Sequence, residues 1–378
     1  MKFDTKLLNV PECEGDSNHP TAVPLYQTVT FAATDLEHPT QYNYTRIANP
    51  TRDALEKHIA EIESAQYALS YASGVNAISA VLDLLRVGDE VIAGKDIYGG
   101  SYRVFTQILP ARGIKFTQVD TGDIAAVKQA ITASTKLIWL ETPSNPHLLI
   151  SDIAKIARLA KDHSILVAVD NSLLVYLQNP LTLGADITMI SATKHYSGHS
   201  DVTAGVILIN DETLAQQFRA QQMNYGNALA PFDAWLLLRG IKTLSIRLQR
   251  EQQSALTVVA FLERHPAVKA VFYPRQGQAH YEIHRAQAKG HGCVISFAVA
   301  DGAAAKTVVH AVKVFHIAAS FGCVHSFISI PKLMSHAAVP AAAAPADNLI
   351  RISIGLEDPE DLIADLKQAL DILKTIEI

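Results

Sequence analysis

The chain has 378 residues, 49% of them hydrophobic, and a net charge of −5. That supplies a large core in more than one domain, and with no cluster of Lys and Arg to meet a phosphate backbone, nucleic acid is not an expected partner. The opening MKFDTKLLNVPECEGD turns acidic without a long apolar run, and the most apolar segments (136–140 and 165–169) are strand-sized, so neither a secretory leader nor a membrane span is expected. Cys13, Cys293 and Cys323 lie far apart with no CxxC pair, which argues against disulfides and a zinc site and for a reducing cytoplasm.

Residues 1–46 show little periodicity, and Pro11, Pro20, Pro24 and the polar run EGDSNH predict an extended arm with short structure at most. From 47 to 242 apolar runs alternate with helical patterns. TRDALEKHIAEIES (51–64) reads as an amphipathic helix with Thr51 at its N-cap. The runs DEVIAG, KFTQVD, KLIWLE, ILVAVD, DITMIS and AGVILI read as strands, interleaved with helices such as SDIAKIARLAKDH and DETLAQQFRAQQM. That alternation predicts βαβ units and a mostly parallel central sheet, an α/β fold. A long helical stretch, 231–265, is expected to be interrupted or ended at Gly240 and to lead into a smaller α/β domain, 243–378. There VKAVFYP, CVISFAVA, VKVFHIAA and NLIRISIG are strand candidates, with helices near 302–311 and 359–374. HAAVPAAAAPADN (336–348) reads as a loop.

Ligands of open α/β sheets sit at the carboxyl ends of the strands. The polar residues that follow the apolar runs are Ser73-Gly74, Tyr98-Gly99-Gly100, Glu141 with Asn145, Asp170, and Ser191, Thr193 and Lys194. Each has an ordinary reading: a solvated lysine, a capping aspartate, a turn. Together they suit an aldehyde cofactor that carries a phosphate. Lys194 offers the amine; free lysine titrates near ~10.4, and covalent attachment to the aldehyde removes that obstacle. Backbone N–H groups of Gly74 and Val75 at a helix start, with the hydroxyls of Ser191 and Thr193, would form the anion cradle. Asp170 is suited to protonating a pyridine nitrogen. No metal ligand set is expected.

The segment SATKHYSGHSDVTAGV (191–206) resembles the Cys/Met-metabolism pyridoxal-phosphate (PLP) enzymes. YTRIANPTRDALE (44–56), ASGVNAI (72–78), DIYGGSYRVF (96–105), ETPSNP (141–146), VAVDNS (167–172), LRGIKTL (238–244) and RISIGLED (351–358) follow the family's order. The resemblance runs from about Thr21 to Glu357. It implies the large-domain PLP transferase fold and assigns roles to individual residues. Lys194 carries the cofactor, Asp170 partners its ring nitrogen and Tyr98 stacks on the ring. Gly74, Val75, Ser191 and Thr193 hold the phosphate, and Tyr44 and Arg46 reach the phosphate in a neighbouring subunit. Arg351 clamps the substrate carboxylate, beside Ser320 and Asn145, and Arg103 stands at the substrate entrance. The arm, 1–46, then contacts the neighbour, and the working assembly is a homotetramer made of two dimers.

What the resemblance implies for activity is cleavage of a C–S bond in L-cystathionine and related sulfur amino acids by γ- or β-elimination. Lys194 moves the protons, and Tyr98 either stacks alone or also protonates the leaving sulfur. A γ-replacement transferase (cystathionine γ-synthase or an acylhomoserine sulfhydrylase) is the alternative, and a non-catalytic binding protein a remote one. Three departures stand out: Ala319 where many γ-acting members carry glutamate, and Cys323 and His325 in place of Gly and Glu. Ala319 predicts a wide thioether range and argues mildly against the γ-synthase.

Overall fold

The computed structural model describes residues 1–10, 18–38, 40–337, 339–340 and 344–376. Pro11, Cys13, most of the EGDSNH run and part of the 336–348 loop lie outside the described residues. Seven strands form the first sheet: β1 (Tyr67–Tyr71), β2 (Glu90–Gly94), β3 (Lys115–Val119), β4 (Thr135–Glu141), β5 (Leu166–Asp170), β6 (Ile187–Ile190) and β7 (Gly205–Ile209), in the order β1-β7-β6-β5-β4-β2-β3. Only β7 runs against its neighbours. The carboxyl ends of the other six strands therefore share one rim, as the sequence predicts.

Both faces of this sheet are covered, which is why its strands read as continuous apolar runs. Along β4, Leu137 and Trp139 enter one core with Phe105, Ala168 and Met189. Ile138 and Leu140 enter another with Ile153, Ile156 and Val167. The helix expected at 51–64 is Pro50–Ile62, and Thr51 is not its N-cap. Asn49 caps it, accepting the Thr51 N–H at 2.9 Å, while Pro50, which has no N–H to lose, takes the first position. The Thr51 hydroxyl instead donates to the Pro24 carbonyl at 2.8 Å and accepts the Tyr26 N–H at 2.9 Å, anchoring the middle of the arm. The arm also contains a short helix, Phe3–Leu8, with Leu7 buried.

The helical stretch 231–265 is two helices, Pro231–Ile241 and Leu244–Leu262; Gly240 lies inside the first rather than at the break. The second helix joins the two halves of the molecule. Leu244 and Leu248 pack with Ile190 and Val206 of the large sheet. Two turns on, Ala255, Val258 and Leu262 pack against the second sheet. That sheet comprises β8 (Ala270–Phe272), β9 (Val294–Ala298), β10 (His316–Ile317), β11 (Phe327–Ser329) and β12 (Leu349–Ser353), ordered β10-β11-β12-β9-β8. β11 was not expected; its three residues, followed closely by Pro331, are too short a run to show a period.

Candidate active site

A cavity of about 270 Å³ opens where the rim of the large sheet meets the second sheet. Its walls include Gly74, Val75, Tyr98, Asn145, Asp170, Ser191, Thr193, Lys194, Ser320 and Arg351. Ten of the thirteen candidate residues thus converge on one space. Arg103, Tyr44 and Arg46 do not line it. Arg103 is exposed at the end of helix Gly99–Arg103. Tyr44 and Arg46 are exposed on the arm, where Arg46 Nη1 donates to the Met223 carbonyl at 2.6 Å and its guanidinium lies 5.4 Å from the Tyr44 ring centre.

Asp170 ends β5 fully inside the site. The Ser172 N–H and hydroxyl both donate to its Oδ1, at 3.0 and 2.6 Å, and the Ser191 N–H donates to the Ser172 hydroxyl at 2.7 Å. Ser172 is a residue the sequence reading passed over; an Asp-x-Ser step, whose side chains can bond back to nearby N–H groups, was the available signal. Burial pushes the Asp170 carboxyl up, opposed by these bonds and by Lys194. Glu141, at the end of β4, accepts the Tyr98 N–H at 2.7 Å. Burial and the nearby Asp170 charge raise its carboxyl well above the usual range. Of these two neighbouring acids, Glu141 is the one held neutral and Asp170 the one that ionises.

Lys194 lies in the turn after β6, and its amine donates to the Ser320 hydroxyl at 2.8 Å. Burial and the Arg351 charge pull its pKa down from 10.5 to about 8, against the opposing pull of Asp170. Arg351, on β12, is 3% exposed. Nη1 donates to Asn145 Oδ1 at 2.8 Å and Nη2 to the Ser320 carbonyl at 3.1 Å. Among the described residues no carboxylate forms an ion pair with it. A buried guanidinium held by neutral groups is a site for a carboxylate brought by a ligand.

The cavity fits the phosphate of the expected cofactor. Ser73 caps helix Gly74–Leu82 by accepting the Asn76 N–H at 3.1 Å, which leaves the Gly74 and Val75 N–H groups at the open helix start. A Cβ added at Gly74 would come 2.9 Å from Ser191 Oγ, so only glycine keeps this cradle open. Beside it, Gly100 leaves room for the Tyr98 ring, into which any Cβ there would run. Thr193 lines the cavity but its hydroxyl is already engaged, accepting the Ala204 N–H at 2.9 Å and donating to the Ala204 carbonyl at 3.1 Å. Gly74, Val75 and Ser191 would thus offer the anion its nearest donors, while the Thr193 bonds to Ala204 hold the turn that carries Lys194.

Of the three departures, only Ala319 lines the cavity. Cys323 is buried and donates to the His325 carbonyl at 3.3 Å; His325 is exposed, 3.9 Å from Glu357. Behind Lys194, His195, Glu251 and Cys293 bring possible ligand atoms within 4.8 Å of one another. Burial, with the Arg247 charge acting on His195, takes the histidine down to about 3; burial lifts the glutamate to about 7 against the pull of Arg247 and pushes the Cys293 thiol well up. A thiol held protonated by burial suits packing better than metal ligation, which needs the thiolate.

Residues 4–371 match the model of the Cys/Met metabolism PLP-dependent enzyme family. The chain is 47% identical to the chloroplastic cystathionine beta-lyase of Mimosa pudica, over 95% of this chain and 80% of that protein. It is 41% identical to the cystathionine gamma-lyase of Bacillus subtilis, over 98% of this chain and all of that protein. Its structure superposes on that of cystathionine gamma-lyase from Lactobacillus plantarum complexed with L-serine with a TM-score of 0.95, at 40% identity and covering 98% of this chain and 99% of the other. The fold and the cofactor expected from the sequence stand, and the chain belongs to the Cys/Met metabolism PLP-dependent enzymes.

Proposed function

We propose that this protein is a carbon–sulfur lyase that cleaves L-cystathionine and related sulfur amino acids by β- or γ-elimination. It releases a thiol amino acid, ammonia and a 2-oxo acid. The observation that carries this reading is the placement of the Lys194 amine between Asp170 and Arg351. Names of relatives support it, since β- and γ-lyases of cystathionine are similar over nearly the whole chain.

Bound PLP supplies a protonated ring into which negative charge at the substrate Cα can spread. The protein does the rest. Arg351 takes the α-carboxylate in its planar fork, which Asn145 and Ser320 hold in place. That fixes the Cα proton with respect to Lys194. With its pKa near 8 rather than 10.5, the amine has a usable unprotonated fraction at neutral pH and can remove the proton. Loss of sulfur from Cβ needs only that proton; loss from Cγ requires the same amine to take a Cβ proton too. Asp170, held by Ser172, would keep the ring nitrogen protonated, and Glu141 fixes the backbone at Tyr98.

We assign the arm, with Tyr44 and Arg46, to a neighbouring subunit's site, in a homotetramer of two such dimers. The support is that both residues lie on the surface and away from this chain's own cavity. A cytoplasmic location belongs to the same proposal, carried by the cysteine spacing.

The test is product identity. Cystathionine alone should give a thiol and a 2-oxo acid: pyruvate for β-elimination, 2-oxobutanoate for γ-elimination. Formation of cystathionine from an activated homoserine ester and cysteine, without cleavage of cystathionine, would make the protein a transferase instead.

A further inference from the structure

Lys194 and Arg351 share one more neighbour. Phe321 is 7% exposed in the cavity wall. Its ring centre lies 5.1 Å from Lys194 Nζ and 5.9 Å from the Arg351 guanidinium carbon. Both are within reach of an aromatic face, whose negative quadrupole attracts cations most where water is excluded. Phe321 is fixed by its surroundings. Ser320, immediately before it, has φ of 115°, a region that L side chains seldom adopt, and accepts from Lys194 at its hydroxyl and from Arg351 at its carbonyl. Behind the ring stands His195, with centres 5.8 Å apart and planes tilted by 53°. His195 is neutral and so adds no third positive charge to the group.

The other groups that face Lys194 can be enumerated. Asp170 on β5 favours the ammonium and Arg351 on β12 opposes it. Cys323, from the loop before β11, is a thiol that burial pushes up, so it carries no charge at neutral pH. Ser320 accepts a hydrogen bond. Against Arg351, a positive lysine nitrogen is stabilised by Asp170, by the Ser320 hydroxyl that accepts its hydrogen bond and by the face of the Phe321 ring.

We propose that Phe321 is a positioning residue whose ring face steadies the protonated Lys194 nitrogen and keeps it aligned with the Arg351 fork. Between taking a proton from the substrate and giving it up, Lys194 carries a positive charge beside a second buried cation. The ring lowers the cost of that state without offering a competing carboxylate to Arg351. The inference rests on the reading of Lys194 as the reactive amine under the proposed function.

The experiment uses the PLP-loaded enzyme. Phe321→Leu and Phe321→Tyr are compared with the parent by titrating the visible absorption of the bound cofactor against pH without substrate. kcat and KM for cystathionine are then measured across the same range. Removing the ring destabilises the positive nitrogen, so Phe321→Leu should lower the spectral midpoint by about 0.5–1 pH unit and raise KM. Phe321→Tyr, which keeps the face, should retain the parent midpoint. If the leucine variant loses its fold or its cofactor, stepwise fluorination of the Phe321 ring replaces it; shape is kept while the face weakens, and the midpoint should fall with each fluorine. An unchanged midpoint in the leucine or fluorinated series, or equal shifts for Leu and Tyr, would overturn the proposal. The substrate-free titration reads the ring even if cystathionine is not the substrate, so the two readings fail separately.

Discussion

Arg351 and Arg46 are both arginines that the sequence places beside a bound anion, and the molecule treats them differently. Arg351 springs from the interior of β12, is buried, and has its two terminal nitrogens held by Asn145 and Ser320. Its charge has no anionic partner among the described residues, and under the proposed function the substrate carboxylate would complete it. Arg46 stands exposed on the arm, where its polar contact is the Met223 carbonyl and its flat face meets Tyr44. Desolvation of Arg351 is already built into the fold, whereas for Arg46 it would come with a second chain. One region is a finished half-site awaiting a small molecule; the other is the surface part of a site that we assign to a neighbour.

The largest effect should come from the residue that both regions serve. Lys194→Ala should reduce cystathionine cleavage by about 10⁴-fold or more, measured as 2-oxo acid release. Residual turnover within tenfold of the parent would mean another base does the work. Next comes the finished half. Arg351→Lys keeps the charge but loses the planar fork, and should raise KM for cystathionine by roughly 10–100-fold, with a smaller change in kcat. An equal loss for substrates lacking the α-carboxylate would show that Arg351 does not read that group.

On the arm, Arg46→Ala should weaken PLP binding by about 1.5–3 kcal/mol, the range for a lost charge-assisted hydrogen bond, read by equilibrium dialysis. Mixing Arg46→Ala chains at low cofactor concentration with inactive Lys194→Ala chains should raise activity above that of either alone, because one site in each mixed dimer is then intact. No recovery in verified mixed dimers would return Arg46 to its own chain and remove the contrast with Arg351. The smallest effect is expected at Ala319, on the cavity wall. Ala319→Glu should shift the kcat/KM ratio between cystathionine and cysteine, homocysteine or methionine by about 1–2 kcal/mol. Unchanged ratios would show that position 319 does not read the distal group, and would weaken the case it makes for a lyase over a synthase.

The rim of the large sheet was legible in the sequence because two periodic signals agree there: apolar runs that end at a polar residue, and one strand direction for six of seven strands. That is how Ser73-Gly74, Tyr98, Asn145, Asp170 and Lys194 could be placed together before any coordinates. The partner wall was harder to read. Ser320 and Arg351 were reached through family resemblance, since nothing local marks a loop before a three-residue strand or tells which residue of an apolar strand faces a ligand. Phe321 was overlooked because an aromatic among apolar residues reads as core; only the fold sets it against two cations. Thr193 was identified as part of the site, but its hydroxyl proved to be bound to Ala204, a pairing across eleven residues that spacing does not reveal. The Thr51 cap failed for a local reason: in Asn-Pro-Thr, the residue before proline is the one kept extended and free to cap.

The proposed chemistry depends on one lysine. Borohydride reduction of the PLP-loaded protein, followed by digestion and peptide mapping, locates the amine that holds the cofactor. The structure predicts a single labelled peptide containing Lys194, with the label absent from Lys194→Ala. A stable label on any other lysine, with Lys194 unmodified, would contradict the site described above and the function proposed for it.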